Sequence, residues 1–163
     1  MNLQFYVEKF EGAEEFESFK KKYPDAYLFA GFFVFDLESG REEQKIDFFS
    51  PSIKKAITID LNNDFKMQES ELVGNVTPKL INGESVIDLK ELEEIVYAEL
   101  ERRELKKSII KIISIYHPSG DKNVWSLNVV LKNLEVLKVE IADESKEILF
   151  FEKRNLLEFA KKF

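Results

Sequence analysis

The sequence contains no cysteine, which removes disulfides, thiolate metal ligands and cysteine nucleophiles together. Histidine occurs once, at position 117. There is no phosphate-cradling glycine loop and no nucleophile elbow. The longest apolar run, Ala26–Phe35, has about half the residues a membrane span needs. Basic residues are outnumbered, 24 against 31 acidic, for a net charge of −7. No basic stripe interleaved with aromatics overrides that repulsion, so nucleic acid is not an expected partner. Met1–Phe10 carries Glu8 and Lys9 and lacks a basic-then-apolar start, so no secretory signal is expected and the localisation expected is cytoplasmic.

What is present is apolar mass. Hydrophobic residues make up 44% of the 163, and 15 of them are phenylalanine, ample for one core or for two small units sharing one. Heavy use of Glu, Lys and Ile with three Gln fits a thermophile source.

One long helix, Asp88 to about Lys107, is the clearest element. Asp88 and Glu91 form a capping box, and Ile87 with Leu92 a hydrophobic staple. Leu89, Leu92, Ile95, Val96 and Leu100 then make an apolar stripe at helical spacing. Before it, the alternation of Leu3, Phe5 and Val7 predicts a short strand, and Phe16, Phe19 and Tyr23 predict a helix stopped by Pro24. Strands follow over Tyr27–Phe35, Lys45–Ser50, Ala56–Asp60 and Phe65–Glu69. Residues 71–85 read as a connection with a small hairpin at Asn82-Gly83. After the long helix come strands at 109–116, 124–131, 135–141 and 147–152, then a terminal helix, Leu156–Lys162.

The two halves repeat one pattern. A shift of 80 residues lays Ser39-Gly40 on Ser119-Gly120, and Ile57, Ile59 and Leu61 on Leu137, Val139 and Ile141. The second strand fits only when slipped by one residue. Such repetition predicts duplication: a first α+β unit over 1–73, a connection over 74–87 and a second unit over 88–163.

The second half resembles the PepSY-like fold, a helix with an antiparallel sheet. The likeness rests on Leu89–Leu105, Lys111–Tyr116, the strand Val124-Trp125-Ser126-Leu127, and Leu137–Ile141 followed by the turn Asp143–Ile148. It departs in lacking a Gly after the Asp. The cystatin-like fold is similar at the same level. The resemblance implies an α+β fold class of two helix-plus-antiparallel-sheet repeats, sharing or stacking their sheets, and binding in place of catalysis.

Two constellations could carry chemistry. Asp60, Asn62, Asp64 and Glu71 fall at positions 1, 3, 5 and 12 of a calcium loop, although Phe65 stands where the loop needs Gly. Calcium is therefore the one cofactor considered; the competing reading is a polar turn. His117, Ser119 and Asp121 have the residue types of a triad but surround one tight turn, where they would diverge. No catalytic residue is assigned.

The informative feature is the aromatic content of the strands. Tyr27–Phe35 has no polar face, and Phe48-Phe49 puts rings on both sides of its strand. Phe33, Phe35, Phe48, Phe49, Tyr116 and Trp125 are accordingly the interaction candidates, for a protein partner or for self-association as a homodimer. The reading is a non-enzymatic binding or protein-interaction module without membrane contact. The alternative is a small-ligand carrier or enzyme with a cavity between helix and curved sheet.

Overall fold

Asn2 starts the first helix by accepting a hydrogen bond from the Phe5 N–H over 3.1 Å, so that Leu3–Glu11 is α1 and not a strand. Leu3, Tyr6, Val7 and Phe10 satisfy helical spacing as well as Leu3, Phe5 and Val7 satisfy alternation. The first set is buried and Phe5 is 44% exposed. The cap decides between two patterns that share residues. Helix α2, Glu14–Lys22, begins with acids and ends with three lysines, which complements its dipole. It stops at Tyr23, as the following Pro24 requires.

The computed structural model describes residues 1–74, 76–105 and 108–155. Four strands follow α2: β1 (Tyr27–Asp36), β2 (Glu42–Ser50), β3 (Lys55–Asp60) and β4 (Lys66–Ser70). Helix α3 is Leu89–Arg102, and β5 (Ile109–Ser119), β6 (Lys122–Leu131), β7 (Glu135–Ala142) and β8 (Ile148–Asn155) complete the described chain. The Asp88 side chain caps α3 through the Lys90 N–H at 2.9 Å. Glu91 does not close a capping box but pairs with Lys146 at 2.5 Å, a tertiary partner that outcompetes the local one. Ile87 and Leu92 are both buried, as a staple requires. Lys106 and Lys107, the expected end of the long helix, and the terminal helix over Leu156–Lys162 lie outside the described residues. No helix among the described residues is long and apolar enough to cross a membrane.

The chain is α+β, with three helices among the described residues and one antiparallel sheet in the order β4-β3-β2-β1-β5-β6-β7-β8. The strands at its centre, β1 and β5, pair from Gly31 opposite Tyr116 to Asp36 opposite Lys111. Segments 1–73 and 88–155 thus share one sheet, and their buried residues form one cluster.

The three described helices cover the same face of the sheet. Tyr6 of α1 meets Phe33 at 5.4 Å between ring centroids, and Phe19 of α2 meets Phe48 at 4.7 Å. Leu92, Val96 and Leu100 of α3 join the same cluster, and the Arg103 guanidinium lies 3.9 Å over the Phe151 ring. Gly31 permits the close approach of α1. A Cβ there would stand 2.8 Å from Leu3 Cδ1 and 2.9 Å from the Phe33 ring.

Residues 71–74 and 76–88 form no strand, so the hairpin expected at Asn82-Gly83 is absent among the described residues. The segment is a strap along one end of the sheet. The Ile81 N–H donates to Leu28 O at 3.1 Å, just where β1 stops pairing with β5. Tyr27 donates its hydroxyl to Pro78 O at 2.5 Å, Lys79 Nζ donates to Gly120 O at 2.7 Å, and Asn123 Nδ2 to Asn82 O at 2.8 Å. The strap takes up backbone groups that the splayed strand ends would otherwise leave unpaired.

Candidate functional site

The register sorts every strand residue to one face or the other. Phe33, Ile46, Ile57, Ile59, Trp125, Leu127, Leu137, Val139 and Ile141 point toward the helices and are buried. The opposite face carries no helix among the described residues. At its centre, on β1 and β5, are Phe32 opposite Ile115 and Val34 opposite Ile113, all accessible and Ile115 37% exposed. On β2, Lys45 lies opposite Phe32 and Glu43 opposite Val34. On β6, Ser126 and Asn128 face Ile115 and Ile113 and are faced in turn by Glu140 and Lys138 of β7. An apolar centre is therefore flanked by charge on both sides.

This placement corrects the interaction candidates. Phe33, Phe48, Phe49, Tyr116 and Trp125 are buried within the chain, and Phe35 is partly buried against the core. Trp125 packs edge-on against Tyr116 at 4.9 Å and 5.8 Å from Phe33. They build the core because the helices lie on their side of the sheet. Phe49 is the exception in direction: it faces the helix-free side but is closed over by Tyr27, whose ring is 5.7 Å away. The residues available for contact are the neighbours of opposite parity. In β1, apolar on both faces, alternation carries no parity. The signal lay in β2 and β7, where Glu43, Lys45 and Asp47, then Lys138 and Glu140, mark the wet side.

Asp47 has a place of its own on the helix-free face. It stands between Ala30 and Thr58 in register and accepts the Thr58 hydroxyl at 2.5 Å. Burial lifts its carboxyl above the ordinary aspartate value, while the Thr58 hydrogen bond and the Lys45 charge pull it down.

His117 joins neither Ser119 nor Asp121 in a relay. Its Nδ1 is 3.0 Å from Pro118 O, which can only accept, so Nδ1 carries the proton. In the neutral ring Nε2 then accepts the Ser126 hydroxyl at 2.8 Å. A serine beside an oriented imidazole has the outline of an activated nucleophile. Ser126 nevertheless sits in mid-strand between two paired neighbours, where backbone N–H groups are committed to the ladder and not to an oxyanion. The geometry is that of a cross-strand hydrogen bond.

The proposed calcium ligands do not converge. Asp60 Oδ1 accepts from the Asn62 N–H at 3.1 Å, and Asn62 Oδ1 accepts from the Gln44 N–H at 2.7 Å. Asp64 and Phe65 turn the chain with positive φ of 49° and 54°. Strand β4 then carries Glu71 away, since Lys66 lies opposite Asp60 and Ser70 opposite Ala56. At about 3.4 Å per residue that is roughly 17 Å of separation. The asparagine and aspartate side chains serve the turn itself. Among the described residues no group of three or more His, Asp or Glu is arranged to hold a metal ion.

The Asp of the turn after β7 is the polar centre of the interior. Asp143 is buried, and its carboxylate accepts from the Val86 N–H at 2.8 Å, the Ile87 N–H at 3.0 Å and Trp125 Nε1 at 3.0 Å. The Tyr116 hydroxyl stands 3.4 Å away, its pKa raised first by burial and then by the Asp143 charge. These bonds clamp the strap and the entry to α3 onto the sheet. Phe33, Tyr116, Trp125 and Phe10 fill the centre of the space between helices and sheet, and surface depressions remain at its margin and beyond. One of 620 Å³ is bounded by Phe49, Pro51, Ile53 and Leu72, and one of 380 Å³ by Tyr6, Phe35, Asp88 and Leu89.

No protein-family model matches the sequence, and no curated protein matches it. Among solved structures, the chain is similar in fold to a crystal structure from Clostridium difficile 630 described as a "putative lipoprotein". The two are 14% identical, superpose with a TM-score of 0.54, and the match covers 86% of this chain and 91% of the other.

Proposed function

We propose that the protein is a non-enzymatic interaction module whose contact surface is the helix-free face of its sheet. One observation carries the reading: Phe32, Val34, Ile113 and Ile115 stand together at the centre of a face that no helix among the described residues covers. A contiguous apolar centre within a polar margin is the composition of a contact surface. The committed backbone around Ser126 favours binding over catalysis.

A doubled origin belongs to the same proposal. The last residues of α2 and α3, Lys22 and Arg102, are 80 apart, as are the first residues of β2 and β6 and of β3 and β7. In each half a helix precedes a four-strand meander, and the two meanders meet through their first strands. Kinship with the PepSY-like or cystatin-like fold is proposed at the same level, from one helix laid across four antiparallel strands.

A photocrosslinking amino acid tests the contact surface. Placed at Ile115, it should yield adducts in cells that the same group at Tyr97, on the outer side of α3, does not. Equal adducts from both positions, or none from Ile115, would reject the reading.

A further inference from the structure

The helix-free face carries two adjacent rows of side chains that read as complements of each other. Across β2, β1, β5, β6 and β7 the first row is Glu43, Val34, Ile113, Asn128 and Lys138. The second, two residues along each strand, is Lys45, Phe32, Ile115, Ser126 and Glu140. Acid in one row stands beside base in the other, apolar beside apolar and amide beside hydroxyl. Among the described residues none of Glu43, Lys45, Lys138 and Glu140 forms an ion pair within the chain. Lys138 lies opposite Glu152 of β8 and Lys45 opposite Asp60 of β3, and the Lys138 charge reaches Glu152 and the Lys45 charge Asp47 without closing an ion pair.

From this arrangement we infer that the occupant of the face is a second copy of the chain, related by a two-fold axis that crosses the strands between the two rows. This rests on the interaction-module reading and names its partner. Such an axis lays each strand antiparallel over its own copy and brings the first row of one protomer onto the second row of the other. Glu43 meets the partner's Lys45, Val34 the partner's Phe32, Ile113 the partner's Ile115, Asn128 the partner's Ser126, and Lys138 the partner's Glu140. An isologous interface makes each contact twice. Four apolar residues from each protomer form a dry centre, and four reciprocal ion pairs stand at its margins, where they set register more than strength. Packed sheets lie about 10 Å apart and are rotated by about 30°, offsets that Lys and Glu side chains can span.

The test uses charge reversal in the full chain, followed by sedimentation. The unaltered protein should sediment as a dimer. Glu43→Lys puts like charges opposite each other and should raise the dimer dissociation constant at least ten-fold, as should Lys45→Glu. An equimolar mixture of the two variants should recover the dimer, because each reversed charge then meets its complement. Lys138→Glu and Glu140→Lys provide the same test at the other margin if either first variant folds poorly by circular dichroism. A monomer at high concentration, a dimer indifferent to the single reversals, or a mixture no tighter than its components would each overturn the inference. Adducts from Ile115 to another protein would leave the interaction-module reading standing while the second copy is rejected.

Discussion

Trp125 Nε1 donates to Asp143 Oδ1 across 3.0 Å, joining the centre of the sheet to the turn after its seventh strand. Because the same carboxylate holds the Val86 and Ile87 N–H groups, sheet, strap and the start of α3 depend on one side chain. Asp143→Ala strands the buried Ile87 N–H and Trp125 Nε1 donors and frees the part-buried Val86 N–H. Leaving one unpaired costs about 1–3 kcal/mol, so an overall loss of about 3 kcal/mol is expected. In a chain of this size that lowers the melting temperature by roughly 10 °C. Asp143→Asn keeps one acceptor oxygen and should fall between the two. Thermal unfolding followed by circular dichroism measures both, and an unchanged melting point for Asp143→Ala would contradict the clamp.

Phe33 and Phe32 are adjacent in sequence and opposite in consequence. Phe33→Glu buries a charge against Tyr6 and Trp125 and should abolish folding. Ile115→Glu, on the helix-free face beside Phe32, should leave the protomer folded, with its far-ultraviolet circular dichroism at about 25 °C that of the parent. Comparable melting of the two variants would mean the faces are wrongly assigned.

The Asp47 carboxyl has a raised pKa in the folded protein, so its charged form is disfavoured there relative to the unfolded chain. A carboxylate shifted upward adds stability when protonated and withdraws it as pH rises from the ordinary value of 3.8 through the folded value. Asp47→Asn should therefore be more stable than the parent at neutral pH, with the difference shrinking toward pH 3. Asparagine can still accept the Thr58 hydroxyl. Urea unfolding at several pH values reads the effect, and a destabilised variant at pH 7 would count against it.

Tyr23 donates its hydroxyl to Glu69 and so ties the end of α2 to the edge strand β4. Burial, and then that hydrogen bond, push its pKa up to about 12. Stability contributed by this group is whole below pH 10 and is lost as pH rises toward 12. Tyr23→Phe should flatten the alkaline limb of the stability profile between those values while losing about 1 kcal/mol at neutral pH. An alkaline limb of unchanged steepness would remove Tyr23 as its cause.

Local chemistry made much of the architecture legible. Asp88 with the stripe from Leu89 to Leu100 marked α3, Pro24 closed α2, and alternation in Ile57–Leu61 and Leu137–Ile141 marked strands whose buried parity the structure keeps. Where two periods shared residues, as at Leu3–Phe10, local pattern could not choose, and the Asn2 cap with packing on Phe33 did. Glu91 shows the same competition, since a lysine 55 positions away displaced its local capping partner.

The amino-acid order by itself determined that this chain is α+β, acidic and free of thiol chemistry, with helices and strands placed by caps, breaks and periodicity. Only the tertiary structure decided which aromatics are core and which are surface. A strand apolar on both sides, such as Tyr27–Asp36, has no parity until a helix covers one face, and that choice is made by residues far away in sequence. The same long-range register set the Glu43 and Lys45 of β2 and the Lys138 and Glu140 of β7 on either side of one apolar centre, a relationship that exists only once five strands lie side by side.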